Sequence, residues 1–332
     1  MHAKVALIFN EPVSGHYEAI GENAAALGVL EAVEAVYQAL CELGYDLVRV
    51  PLLPPLDVVR RKLSALDVDL VFNLFEGFDG HPGAEAEVAD VLSDLGVIYT
   101  GCRGDTLSLA LDKVRAKSLL LEAGIRTPRY QVLGREQISL FHLDYPCIVK
   151  PCKEDASHGI SEQSVVRDSA ALERQVARVT DTFGGRTLVE EYIEGRELNA
   201  TVIGTKKIEV LPLTEIVYSL PPGFPKILAY SAKWEQDSVY YQCTRPVCPA
   251  EVEPGLQNQI GDVAVRVFGL FDCTGCVRVD FRVDGEGESY VIEVNPNPDI
   301  SPGAGLALQA RVAGMDYLHL VEKLVLLALR KG

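Results

Sequence analysis

The first hundred residues alternate short apolar strands with amphipathic helices, and this alternation restricts the fold more than any other feature of the chain. Apolar runs predict strands at 3–9, 45–50 and 68–74, and apolar residues at helical spacing predict helices at 23–43 and 57–66. Strands joined through helices form a parallel sheet, which binds ligands beyond the carboxyl ends of its strands. We therefore predict an open parallel-sheet domain over residues 1–101.

The rest of the chain predicts two further units that mix helices and strands. A basic helix is expected to begin at an N-cap, Thr106, and to stop at Gly124. A strand and a turn-rich loop over 151–159 follow this helix, and the later part of the chain reads mostly as strands. We place the two units at 102–187 and 188–332.

Composition excludes several classes of partner. The chain carries 31 Lys and Arg against 47 Asp and Glu, a net charge of −16, and such a polyanion repels nucleic-acid backbones and anionic lipids. The N-terminus does not have the pattern of a signal peptide, and no apolar run reaches the ~18 residues of a membrane span, so we expect a cytoplasmic protein. Zinc bound by Cys243, Cys248, Cys273 and Cys276 is an alternative to buried core thiols, which we favour because cysteine is commonly buried.

A predicted hairpin over 277–295 carries the main cluster of polar side chains. Both of its strands alternate, and a turn at its centre places Asp280 opposite Glu293 on one face. Arg278 and Asn295 project from the same face. Two carboxylates and an amide oxygen suit Mg²⁺ or Mn²⁺, and the alternative is a solvated polar face with cross-strand salt bridges.

Six short motifs give the clearest indication of function. They are Leu111-Asp-Lys-Val-Arg-Ala-Lys117, Ile148-Val-Lys-Pro151, Leu188-Val-Glu-Glu-Tyr-Ile-Glu-Gly-Arg-Glu197, Ala232-Lys233, Arg278-Val-Asp280 and Glu293-Val-Asn295. In this order they resemble the ATP-grasp ligases, and among them the D-alanine:D-alanine ligase group. The resemblance covers nearly the whole chain and implies an α/β (α+β) ATP-grasp fold, in which an N-terminal Rossmann-like domain precedes two α+β subdomains that clasp ATP.

The resemblance implies a complete nucleotide site. Lys113 and Lys150 would hold the ATP phosphates, and Lys233 would reach the γ-phosphate. Taken singly, each could be an ordinary surface lysine. The resemblance implies that Glu190, Glu191 and Ile193 form the adenine hinge, largely through backbone groups. It also implies that Glu197 contacts the ribose.

The resemblance also implies the metal ligands and the reaction. Asp280, Glu293 and Asn295 would hold two Mg²⁺ ions, with Mn²⁺ as the alternative, and Arg278 would stabilise the oxyanion. Ser157 would contact the phosphates from the turn-rich loop. The implied activity joins a small-molecule carboxylate to an amine through an acyl phosphate, with release of ADP and phosphate. A homodimer is left open.

The residues expected at the donor site and at the acceptor site differ from the pattern of the D-alanine:D-alanine ligase group. A Gly-Gly-x-Ser-x-Glu segment is replaced by Phe9-Asn-Glu-Pro-Val-Ser14, and a tyrosine by Trp234. At the acceptor end, Asp299 replaces a glycine and Ala304 a serine. We therefore predict that D-alanine is a poor acceptor, unless Asp299 points into solvent or pairs with Arg311. A D-alanine:D-alanine ligase with a rewired pocket and a non-catalytic nucleotide-binding protein are the alternatives.

Overall fold

The first sheet is parallel. The computed structural model describes residues 3–330, apart from the side chain of residue 26. Its first elements are β1 (Lys4–Asn10), α1 (His16–Ala19), α2 (Ala24–Glu42), β2 (Asp46–Leu52), α3 (Leu56–Ser64), β3 (Leu70–Leu74) and α4 (Ala84–Asp94). The strands pair in the order β2-β1-β3, as the alternation of strands and helices predicts.

The segment 97–101 adds a single parallel bridge to the first sheet, between Tyr99 and Val71. The chain then turns at Gly101, whose φ of 93° lies in the left-handed region. The side chain of Asn297 occupies the space that a side chain at this position would need, so only glycine fits here.

The second sheet is antiparallel. The elements of this part of the chain are α5 (Gly104–Leu111), α6 (Lys113–Glu122), β4 (Tyr130–Leu133), β5 (Cys147–Pro151), β6 (Val165–Val166), α7 (Ser169–Phe183) and β7 (Thr187–Glu191). The strand order is β4-β7-β5-β6. Two short 3₁₀ segments, Arg135–Leu140 and Glu162–Ser164, lie between these elements.

The prediction of one continuous helix capped by Thr106 is wrong. The hydroxyl of Thr106 donates to the carbonyl oxygen of Phe271 at 2.9 Å, within a helix that has already begun. The helix is interrupted at Asp112, whose side chain accepts the Arg115 N–H and so caps a second helix. The predicted stop at Gly124 is confirmed by its φ of 67°.

The third sheet is the largest. Its elements are β8 (Arg196–Gly204), β9 (Ile208–Val210), β10 (Thr214–Tyr218), α8 (Tyr230–Trp234), α9 (Val239–Gln242), β11 (Thr244–Val247), α10 (Pro254–Leu270), β12 (Gly275–Val283) and β13 (Ser289–Asn295), followed by α11 (Gly305–Val312) and α12 (Tyr317–Leu329). The strands pair in the order β11-β10-β8-β12-β13, with β9 on β8. The predicted pairing of Asp280 with Glu293 is confirmed, and Arg278 pairs with Asn295; nearer the turn, an irregularity after Asp280 shifts the register by one residue.

The cores connect the beginning and the end of the chain. Because successive side chains of β1 alternate between faces, Ala6 and Ile8 pack into one core with β8 and α10, whereas Val5 and Leu7 pack into another with α12. The first sheet is therefore buried on both sides.

Strand pairing suggests where the three units meet. We propose that each sheet marks one unit, and that the second unit ends after β7, since this strand pairs with β4 and β5. The boundary then lies between Glu191 and Arg196, a few residues later than the sequence predicts. No helix within residues 3–330 has the length and apolar character needed to cross a membrane.

Candidate active site

The predicted site residues converge on one cavity between the second and third sheets. It encloses about 850 Å³, including the open space at its mouth, which is within the usual range for a small-molecule site. Ten of the twelve predicted residues line it: Lys113, Lys150, Ser157, Glu190, Glu191, Ile193, Glu197, Lys233, Asp280 and Glu293. The other two, Arg278 and Asn295, both hydrogen-bond to Asp280.

Asp280 is the centre of the predicted metal face. Arg278 grips its carboxylate with two hydrogen bonds, from Nε at 2.7 Å and Nη2 at 2.9 Å. Asn199 and Asn295 donate side-chain N–H groups to it at 2.8 and 3.0 Å. Although burial lowers the pKa of Arg278, the nearby Asp280 carboxylate raises it above the ordinary value, so the guanidinium stays charged.

Glu293 is the second carboxylate of this face. Lys113 Nζ lies 3.2 Å from its Oε1. Burial favours the neutral acid, but Lys113, Lys233 and Lys150 outweigh burial and lower the pKa of Glu293 to about 2. The side chain is therefore ionised at neutral pH.

The donor set fits a divalent ion that takes part of its coordination from a ligand. Asp280 and Glu293 face each other across β12 and β13, with Asn295 two residues further along β13. These are oxygen ligands of the kind that Mg²⁺ prefers. Within residues 3–330 no group of three or more His, Cys, Asp or Glu could hold a metal, so phosphate oxygens or water would have to complete the site. Among the four cysteines of the zinc alternative, Cys273 and Cys276 are buried, as expected for core thiols, whereas Cys243 and Cys248 are partly exposed.

A buried ion triad supports Lys150, one of the predicted phosphate contacts. Glu190 is 1% exposed and lies between Lys117 Nζ at 3.0 Å and Lys150 Nζ at 2.8 Å. Burial raises the pKa of Glu190, but the two lysines lower it further than burial raises it. Burial lowers the pKa of Lys117. Lys117 was not predicted as a site residue. Its spacing of four from Lys113 could have indicated it, because residues four apart lie on the same face of a helix.

The end of the cavity that contains the predicted ribose contact, Glu197, is also built on a buried ion pair. Arg282 Nη1 lies 3.2 Å from Glu197 Oε2, and the Tyr218 hydroxyl donates to the same oxygen at 2.6 Å. Arg282 Nε donates to the carbonyl oxygen of Ile193 at 3.0 Å. Arg282 therefore ties the predicted hinge to the predicted ribose contact, a role that the sequence did not reveal.

The turn-rich loop is held close to the cavity. Ala156 and Ser157 have φ values of 46° and 64°, which non-glycine residues rarely adopt. The Ser157 hydroxyl donates to the carbonyl oxygen of Leu228 at 2.9 Å, and Trp234 Nε1 donates to that of Ala156 at 3.1 Å. The amine of Lys113 donates to the Glu154 carbonyl oxygen. Ser157 thus lines the cavity, with its hydroxyl engaged by the neighbouring segment.

Two residues near the N-terminus, Tyr17 and Glu22, contact this loop. The ring of Tyr17 stacks on His158 with centroids 3.9 Å apart, and its hydroxyl donates to Glu154 at 2.8 Å. Glu22 accepts hydrogen bonds from Gly159 N–H at 3.0 Å and, at 2.8 Å, pairs with Nδ1 of His158. We call Tyr17 and Glu22 the loop clasp. These contacts span more than 130 residues, so sequence reasoning missed them.

Comparison with known proteins identifies the family. The model of the family described as "D-ala D-ala ligase C-terminus" matches residues 119–326. A D-alanine–D-alanine ligase of Desulforudis audaxviator is 33% identical over 311 residues, covering 90% of this chain and 93% of that protein. The chain belongs to the D-alanine–D-alanine ligase family. An uncharacterized protein of Sinorhizobium fredii is 33% identical over 264 residues, which cover 79% of this chain and 75% of that protein.

The fold agrees with a solved structure of the family. The D-alanine–D-alanine ligase of Bacillus anthracis complexed with ATP superimposes with a TM-score of 0.76 at 22% identity, covering 99% of this chain and 98% of that one. The predicted ATP-grasp fold is confirmed. The chain is an ATP-dependent carboxylate–amine ligase of the D-alanine–D-alanine ligase type, and ligases of this family use ATP together with a divalent metal.

Proposed function

We propose that this ligase joins a small, amino-acid-like carboxylic acid to an amine through an acyl phosphate, with two Mg²⁺ ions and with Mn²⁺ as a substitute. The observation that carries the proposal is the convergence of Asp280, Glu293 and three lysines on a single cavity. Carboxylates that face each other across a hairpin offer oxygen ligands to a cation, and the lysines offer positive charge to a polyphosphate.

The lysines would divide the phosphate between them. Lys113 and Lys150 both line the cavity, and each is paired with a carboxylate that holds its side chain in place. Burial, followed by the charge of Arg278, lowers the pKa of Lys233, so an anion bound beside this amine would favour its charged form. A phosphoryl group in transfer carries developing negative charge, which such preorganised cations stabilise.

The reaction would occur at the end of the cavity near Arg278. The donor carboxylate attacks the γ-phosphate and ADP leaves; the amine then attacks the acyl carbon, the C–N bond forms, and phosphate departs with the electrons of the C–O bond. A bound Mg²⁺ would neutralise phosphate charge between Asp280 and Glu293. The guanidinium of Arg278, held by Asp280, would stabilise the oxyanion that forms at the acyl carbon.

The hinge and loop would hold the nucleotide and exclude water. Backbone groups of Glu190, Glu191 and Ile193 would contact the base, since the Glu190 side chain is committed to two lysines. Glu197 would accept hydrogen bonds from the ribose hydroxyls. The loop that carries Ser157 would close over the phosphates and keep the acyl phosphate from hydrolysis.

A D-alanine:D-alanine ligase of cell-wall synthesis is the second candidate. Its support is the name of the relative from Desulforudis audaxviator, with 33% identity over most of both chains. We also propose that the protein acts in the cytoplasm on small molecules, without a nucleic-acid or membrane partner, since its net charge of −16 repels polyanions. A homodimer is left open, and its mass measured by sedimentation would test it.

A screen for ADP release tests the proposal. Amino acids and small acids would be combined with amines in the presence of ATP and Mg²⁺. At least one acid–amine pair should release ADP in step with amide formation. Tight ATP binding with only background ADP release across broad mixtures would contradict ligase activity. Amide formation from D-alanine alone at millimolar concentration would favour the second candidate.

A further inference from the structure

A second cleft opens at the carboxyl-terminal end of β3, next to the ATP cavity. It encloses about 550 Å³ and is lined by apolar side chains that include Phe72, Phe75 and Ile300. Its polar lining includes Asn73, Glu76, Thr100, Asn297 and Asp299. The charge of Lys233 acts on Glu76, and that of Asp299 acts on Arg278, so the cleft adjoins the groups assigned to the reaction.

Two carboxylates, Glu76 and Asp299, line the cleft without a paired cation in the described part of the chain. Its described lining contains no lysine or arginine, and neither Glu76 nor Asp299 forms an ion pair within residues 3–330. Asp299 accepts the backbone N–H and the hydroxyl of Ser301 at 2.8 and 2.7 Å, which fixes its carboxylate in place without neutralising it. Of the two alternatives expected for Asp299, a pair with Arg311 is not found within residues 3–330, whereas exposure to solvent is observed; the exposed carboxylate also lines the cleft.

The surroundings of Glu76 show the same excess of negative charge. Its side chain is exposed to solvent inside the cleft, with protein on the other sides. Partial removal from water raises the pKa of Glu76 well above the usual value, and the charges of Asp299 and Asp155 raise it further. A cation in the cleft would relieve this repulsion.

An independent observation points to a ligand oxygen. Asn73 is 5% exposed, and its Oδ1 accepts the N–H of Phe75 at 3.1 Å, which fixes the orientation of the amide. Nδ2 of Asn73 is buried and has no hydrogen-bond partner within residues 3–330. A buried donor without a partner destabilises a protein, so the arrangement is explained if a ligand supplies an acceptor here.

We propose that this cleft is the acceptor subsite, and that it takes an amine that carries a second cationic group and a neutral oxygen but no free carboxylate. This inference rests on the proposed function. The second cation would lie between Glu76 and Asp299, the neutral oxygen would accept from Asn73, and the apolar walls would contact the carbon chain. A free carboxylate would be repelled by Asp299 and would further oppose ionisation of Glu76, and so D-alanine is disfavoured.

Binding measurements with small probes test the inference. 1,3-Diamino-2-propanol has two amines and a hydroxyl, 1,3-diaminopropane lacks the hydroxyl, and D-alanine has the carboxylate. Calorimetric titration into protein saturated with ADP and Mg²⁺ should show the diamino alcohol binding at least tenfold more tightly than D-alanine, with the plain diamine in between. Equal or tighter binding of D-alanine would overturn the inference.

Matched variants assign the effect to the cleft. Glu76→Gln and Asp299→Asn should each weaken binding of the diamino alcohol about tenfold, the effect of one lost charge interaction. Glu173→Gln removes the same charge from an exposed position on α7 and should change nothing. Unchanged binding in both cleft variants would overturn the inference.

Failure of the proposed ligase activity and failure of the proposed acceptor subsite would give different results. Thermal stabilisation by ATP and Mg²⁺ checks that each variant is folded. ADP release with acid–amine pairs but no preference for diamines contradicts the inference and leaves the proposed function standing. Tight diamine binding without ADP release for any acid contradicts the proposed function, and with it the acceptor role of the cleft.

Discussion

Replacing Lys117 with methionine should destabilise the protein strongly and weaken ATP binding. Lys117 and Glu190 are 3% and 1% exposed, and their charged atoms are 3.0 Å apart. At that distance and an effective dielectric constant of about 20, the attraction is about 5 kcal/mol. Because the buried Glu190 would lose one of its two cations, we expect Lys117→Met to lower the free energy of unfolding by about 3–5 kcal/mol.

Urea denaturation followed by circular dichroism measures this loss. Arg115→Met is the matched control, since Arg115 is exposed on the same helix and forms no ion pair in the described part of the chain; it should cost less than about 0.5 kcal/mol. The double variant Lys117→Met/Glu190→Gln should recover part of the loss, because no unpaired charge is left. A loss below 1 kcal/mol for Lys117→Met, or no recovery in the double variant, would refute the reasoning.

Three further predictions follow from the site. Asp280→Asn and Glu293→Gln should abolish turnover without unfolding the protein; normal rates at low Mg²⁺ would show that the metal assignment is wrong. Glu22→Gln breaks the loop clasp, so ADP released without amide product should rise several-fold, whereas the exposed Glu18→Gln should leave this ratio unchanged. Burial raises the pKa of Glu85 to about 8. Its ionisation therefore opposes folding progressively above pH 4.5, and Glu85→Gln should raise the melting temperature more at pH 9 than at pH 5, a difference that thermal scans would detect.

The hairpin was predictable because its information is local. The two alternating runs are separated by a short turn, so simple counting pairs Asp280 with Glu293, and the structure agrees. By contrast, β11 contains Pro246, which weakens a strand prediction and is tolerated here because β11 lies at the edge of its sheet. This strand was therefore not predicted.

The supporting contacts of the site were not predictable for the opposite reason. Lys117 meets Glu190 across more than 70 residues, and Tyr17 meets His158 across 141. Each of these residues, taken alone, resembles an ordinary surface or core side chain. Only the folded chain brings them together, so sequence motifs could indicate the residues that face the ligand but not the residues that hold them in place.

Transfer of oxygen from the acid to phosphate tests the central claim most directly. The acid found in the ADP-release screen would be labelled with ¹⁸O in its carboxyl group and incubated with ATP, Mg²⁺ and the acceptor amine. An acyl phosphate intermediate requires one carboxyl oxygen to leave with the phosphate, so mass spectrometry should find one ¹⁸O atom in each released phosphate. Amide formation with unlabelled phosphate would contradict the mechanism.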